Sequence, residues 1–158
     1  VDALSCARLV CGDEMLTAAP DNLYIGHPCP SLELLAAHDI SGLSVIGIVE
    51  VVSPWGELLS DTGRVVELGL SQDGNTKLIN RIHEKSKCEP FPLTSPPSWR
   101  CTGRMVLNED FWGMSGETDV EMLDALSQLD ALVAAPIDAS YVDVGIPSGL
   151  EFALSQLN

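Results

Sequence analysis

The chain has 158 residues, 46% of them hydrophobic and 20% charged, with a formal net charge of −15. That size and composition suit one globular domain with a sizeable core and argue against disorder. The negative balance works against nucleic acid and anionic membrane surfaces, aromatic residues are too few for a base-stacking platform, and no apolar run nears the roughly 20 residues of a membrane span.

The charge is segregated along the chain. Residues 1–63 carry nine acids and one base, Arg8; residues 64–104 carry seven bases and four acids; residues 105–158 carry ten acids and no base. Such segregation sets what a surface attracts without naming a reaction.

Residues 2–18 suit a helix, with Leu4, Ala7, Val10 and Cys11 on one face and Gly12 interrupting it. Pro20 with Asp21 and Asn22 marks a turn. The His27-Pro28-Cys29-Pro30 run forces an extended path, because a residue before proline is pushed out of the helical region. Ser31 is placed to cap a short helix that stops near Gly42. Leu43–Val52 is rich in β-branched residues and reads as a buried strand. Arg64–Leu70 reads as a second strand, expected to pair antiparallel with the first.

Residues 76–85 fit two patterns: Leu78, Ile79 and Ile82 suit a short helix, while Ile79 and Arg81 alternating with Leu78 and Ile82 suit a strand; the helix is preferred, and it would place Lys77, Arg81 and Lys85 on one face. The proline-rich stretch 88–98 predicts a loop. Trp99–Leu107 alternates as a half-buried strand, with Arg100, Thr102 and Arg104 on its polar side. The longest predicted helix covers 119–134, from a Thr118/Glu121 capping box, with Met122, Leu126, Leu129 and Val133 as its apolar stripe. Ser140–Val144 is a short strand. A Ser148/Glu151 box then opens a last helix with Leu150, Leu154 and Leu157 on one face. The fold expected is α+β, or mixed α/β: one domain over 1–158, a small, mostly antiparallel sheet and three to five helices, the last two C-terminal.

Five cysteines, an odd number at loose spacing, favour free thiols and a cytoplasmic setting. Cys88 and Cys101 form the one bridge worth weighing, and Val1 opens no basic leader segment. His27, Cys29, Cys6 and Cys11 carry zinc-binding side chains, with His38 downstream, but their spacing is not that of paired metal ligands, so no metal is expected. Cys29 beside His27 lacks the basic surroundings that a reactive thiol needs. No metalloprotease, deaminase, serine-hydrolase, phosphate-loop or dinucleotide signature is present.

The basic strip remains. Lys77, Arg81, Lys85, Arg100 and Arg104, brought together, would receive an anionic ligand or an acidic partner. Alternatively they pair with the chain's own acids. The function expected is a non-catalytic interaction or assembly subunit, without cofactor, binding a partner protein or a second copy head to tail. The alternative is a small enzyme or ligand-binding domain acting on a carboxylate or phosphate through residues 64–104.

Overall fold

The β-branched run near residue 45 becomes the middle of a six-stranded sheet in the computed structural model of the protein, which describes residues 2–26, 29–51, 64–71, 76–83, 98–114 and 122–156. In chain order its elements are α1 (Asp2–Cys11), β1 (Met15–Ala18), β2 (Asn22–Ile25), α2 (Pro30–Ser41), β3 (Val45–Val51), β4 (Val65–Ser71), β5 (Lys77–Ile82) and β6 (Ser98–Leu107). Then follow α3 (Glu109–Met114), α4 (Met122–Leu126), β7 (Val133–Pro136), β8 (Ser140–Asp143) and α5 (Pro147–Ser155). The domain is mixed α/β, with five helices among the described residues.

The large sheet runs β1-β6-β3-β7-β5-β4. β6 is ten residues long, enough to serve two neighbours along one edge. Its end pairs with β1, from Met15 opposite Leu107 to Ala18 opposite Arg104, and its start pairs with β4 through Val65–Arg100 and Val66–Trp99. The second pairing curls β6, β3, β7, β5 and β4 into a barrel-like ring. β3 and β7 are parallel, and the other neighbours antiparallel. The expected small antiparallel sheet is thus corrected to a mixed, barrel-like one. The expected β3–β4 pairing is corrected too: β3 lies between β6 and β7.

Alternation along β3 feeds two cores. Ile46 and Ile48 join Cys101, Met105, Leu107, Phe111 and Leu126 in one cluster, while Val45 and Val49 join Leu34, Val106, Val133 and Tyr141 in the other. Burying a side chain of this size contributes roughly 1.5–3 kcal/mol. α2 ends at Gly42, whose φ of +67° is the left-handed conformation glycine adopts without a Cβ penalty. Ser31 lies inside α2 and Cys29 takes the cap position.

Other expectations change. α1 stops at Cys11, and Val10 and Cys11 face solvent. Residues 77–82 form β5 instead of a helix, because β4 and β7 offer hydrogen-bonding edges on both sides. The described part of the 119–134 helix is the short α4, and Val133 lies in β7. Its expected capping box and residues 88–97 of the proline-rich stretch fall outside the described residues, and Ser98 opens β6. α5 starts from Ile146 with no side-chain cap and buries Gly149 and Ala153, leaving Leu150 47% and Leu154 54% exposed. A Cβ on Gly149 would run into the carbonyl of Asp143, so glycine lets α5 close on the end of β8.

Candidate functional site

The β1–β2 turn and the end of β8 carry the most specific polar cluster. β2 and β8 form a separate antiparallel ribbon in which Asn22 stands opposite Asp143 and Tyr24 opposite Tyr141. The Val144 N–H donates to the Asp21 carbonyl at 2.8 Å, fastening the ribbon's end. This register brings Asp21 and Asp143 together across 122 residues of chain. A Cβ placed on Gly145 would meet Asp21 Oδ2 at 2.8 Å and Asp143 Oδ1 at 3.0 Å, so both carboxylates border one small space that only glycine leaves open.

Asn22 organises this corner. Its Oδ1 accepts from the Gly103 N–H at 2.8 Å and from the Tyr141 hydroxyl at 2.7 Å, and its Nδ2 donates to Asp21 Oδ1 at 2.9 Å. Asp143 Oδ1 accepts from the Gly145 N–H at 2.9 Å. Gly103 admits this contact because a Cβ there would strike Asn22 Oδ1. Among the described residues, neither Asp21 nor Asp143 has a cationic side chain within ion-pair distance. Burial raises the pKa of Tyr141, and Tyr24, Asp143 and Asp21 raise it further; its phenol therefore stays protonated and donates. Burial likewise raises the pKa of Tyr24.

Arg104 borders the same ribbon. Its guanidinium lies 4.9 Å from the centre of the Tyr24 ring and donates to the Ser31 hydroxyl, while Tyr24 meets Tyr141 edge-on at 5.5 Å. Among the described residues it has no carboxylate partner. The rest of the basic strip does not converge on it. Arg100 is 0% exposed, paired in register with Val49 and Val65. Its expected place on a polar face is corrected: both faces of β6 are covered. Lys77 sits 5.4 Å over the Trp99 ring, and Arg81 is exposed opposite Glu67 on β4. Lys85 lies outside the described residues.

The cysteine and histidine candidates do not assemble either. Cys6 and Cys11 are exposed on α1, Cys29 precedes α2, and His27 and Cys88 lie outside the described residues. No group of three or more His, Cys, Asp or Glu suited to a metal ion occurs among the described residues. His38 is buried and donates from Nδ1 to the Leu43 carbonyl at 2.7 Å. Cys101 is free, and burial pushes its thiol up to about 12, too high for a nucleophile at neutral pH.

A cleft of about 830 Å³ lies elsewhere, lined by Arg8, Asp13, Glu109, Trp112 and Asp130 among others. Its cation is already engaged: Arg8 pairs with Asp13 at 2.5 Å and stacks 5.1 Å from the Trp112 ring. The Asp21–Asp143 pair is the stronger site.

Sequence reasoning missed that pair. Asp21 reads as an ordinary turn residue and Asp143 as the end of a short strand. The pairing of β2 with β8, which brings the two acids together, leaves no local mark in the sequence.

No family model matches the chain, and no curated protein matches it. Its fold is shared with solved structures. UTP-bound UGPase from Acinetobacter baumannii aligns with 98% of this chain and 54% of its own, at 21% identity and a TM-score of 0.74. A UDP-glucose pyrophosphorylase complexed with UDP-glucose aligns over 99% of this chain and 61% of its own, at 19% identity and 0.74. The inositol-1-phosphate CTP transferase from T. maritima aligns over 98% and 58%, at 13% identity and 0.67. The chain thus spans little more than half the length of these proteins, and at such identities the likeness is one of fold. It corrects the expectation of a non-catalytic assembly subunit and the emphasis on protein–protein interaction, because these neighbours are nucleotidyl-transfer enzymes. No helix of the described residues is long and apolar enough to cross a membrane.

Proposed function

We propose that this chain forms the phosphate-handling corner of an enzyme that transfers a nucleotidyl group to a phosphorylated small molecule such as a sugar phosphate. The observation that carries this reading is the Asp21–Asp143 pair: two carboxylates bordering one space over Gly145, with no cationic side chain to neutralise them among the described residues. Two like charges held together call for a positive group, and all-oxygen donors suit a hard divalent cation that also takes ligands from phosphates. A divalent cation held by Asp21 and Asp143 would draw charge from phosphate oxygens.

The chain's own residues do the arranging. Asn22 holds Asp21 Oδ1, which leaves Oδ2 facing the space. The Gly145 N–H holds Asp143, and the missing side chain of Gly145 keeps the space open. Tyr141 stays protonated and locks Asn22 in the orientation that serves both Gly103 and Asp21. Arg104, fixed between the Tyr24 ring and Ser31, supplies a guanidinium that suits a phosphate. In nucleotidyl transfer an acceptor phosphate oxygen forms a bond to the α-phosphorus of a nucleoside triphosphate as the bond to pyrophosphate breaks. Catalysis of that exchange is mostly positioning and charge stabilisation.

Thermal unfolding with Mg²⁺ and a panel of sugar nucleotides tests the reading. A ligand at a hundred times its Kd adds about 2.7 kcal/mol of stability, a rise of roughly 5–10 °C for a chain this size. The rise should require both Mg²⁺ and nucleotide and vanish in the Asp21→Asn/Asp143→Asn double variant. A rise that the double variant keeps would move the site elsewhere.

A further inference from the structure

We infer that Arg104, the Tyr24 hydroxyl and the first turn of α2 bind a phosphate group without help from a divalent cation. This deepens the reading above and rests on it only for the molecule that carries the phosphate, the acceptor or the nucleotide. Tyr24 lies two residues along β2 from Asn22, on the same side of the ribbon and a step of about 7 Å away. A phosphate at Arg104 is therefore a neighbour of the space between Asp21 and Asp143, not an occupant of it.

Arg104 is half-buried and held on two sides. Its Nη1 donates to the Ser31 hydroxyl, and its guanidinium lies 4.9 Å from the centre of the Tyr24 ring, which together fix the plane of the group. Its Nε–H, shielded from solvent, meets no acceptor among the described residues, and no carboxylate there lies within ion-pair distance. Shielded donors in folded proteins nearly always have a partner, so an unmet one on a cation calls for an anion from outside. With Nη1 committed to Ser31, the edge left is Nε with Nη2, a fork that matches two oxygens of an oxyanion.

Two neighbours favour the same ligand. The Tyr24 hydroxyl is likewise shielded and makes no hydrogen bond among the described residues. Burial raises its pKa against a smaller opposing pull from Thr102 and Arg104, so it keeps its proton and is a donor. Ser31 stands in the first turn of α2, a twelve-residue helix whose N-terminal end carries partial positive charge. A guanidinium placed there sets like charges together, and an anion between them relieves the repulsion. Three donors from different directions select a tetrahedral phosphate, which offers an oxygen to each, over a carboxylate with two oxygens in one plane.

The test is proton–nitrogen NMR of the Arg104 Nε–H, identified by its loss in Arg104→Lys, as the full chain is titrated with inorganic phosphate in EDTA at fixed ionic strength. The resonance should move and saturate. Phosphorus NMR line broadening should show phosphate binding weakened about tenfold in Arg104→Gln, and in the same direction in Arg104→Lys, which keeps the charge and loses the fork. Tyr24→Phe, which keeps the ring, should weaken it by about threefold. Whichever of glucose 1-phosphate and UTP binds tighter in the same buffer is the carrier of the phosphate. Three results overturn the inference: a resonance that phosphate leaves in place, binding that requires Mg²⁺, or binding that Arg104→Gln leaves undiminished. The Asp21→Asn/Asp143→Asn variant should keep this phosphate binding while losing the Mg²⁺-dependent rise in stability, so the two proposals fail separately.

Discussion

Asn22 shows how much one side chain can decide. Its amide meets a backbone N–H, a buried phenol and a carboxylate, so it serves packing and site at once. Asn22→Ala would strand the Gly103 N–H and the Tyr141 hydroxyl, two donors with little access to water. Each such loss costs about 1–3 kcal/mol, which predicts destabilisation of about 2–6 kcal/mol by urea unfolding. A change below about 1 kcal/mol would mean that water replaces the amide and that the network does not hold Asp21. Nothing local in the sequence announces this role. Asn after Asp is an ordinary turn pair, and its partners lie far along the chain at Gly103 and Tyr141.

At the scale of elements, the strands with strong β-branched runs were legible and the periodic basic segment was not. Leu78, Ile79 and Ile82 satisfy a helical stripe and a strand equally well, so the choice falls to partners that a single sequence does not display. The 119–134 segment failed for a related reason. Met122, Leu126 and Leu129 do pack on one cluster, but Val133 belongs to the opposite face, so one helix would have to serve both sides of the sheet. Ser127 bonds back to the Asp124 carbonyl at 2.7 Å near the point where α4 ends, a local bond that competes with the helix. The alternation of β6 was read correctly and its burial was not, because α2 and the β2–β8 ribbon cover the face assigned to water. The basic strip therefore divides into unlike parts. Arg100→Glu places an acid in the interior and should destabilise by about 3–5 kcal/mol in denaturant titrations. Arg81→Glu, exposed opposite Glu67, should cost about 1 kcal/mol or less. Equal effects would contradict the placement of β6 between two covered faces.

Across the whole molecule, the charge segregation that dominates the sequence does not become a single basic surface. Arg100 enters the interior, Arg64 is buried and pairs with Asp124 at 2.5 Å, Lys77 covers Trp99, and Arg104 faces the β2–β8 ribbon. What the topology assembles instead is an acidic pair, from a turn near one end of the chain and a strand near the other. The sheet and the β2–β8 register create that site, which is why composition and spacing did not reveal it. Electron paramagnetic resonance of Mn²⁺ titrated into the protein with a sugar nucleotide present tests the claim most directly. The account predicts one bound Mn²⁺ per chain, weakened at least tenfold by Asp21→Asn and by Asp143→Asn alike. Undiminished Mn²⁺ binding in both variants, or none in the wild-type protein, would contradict it.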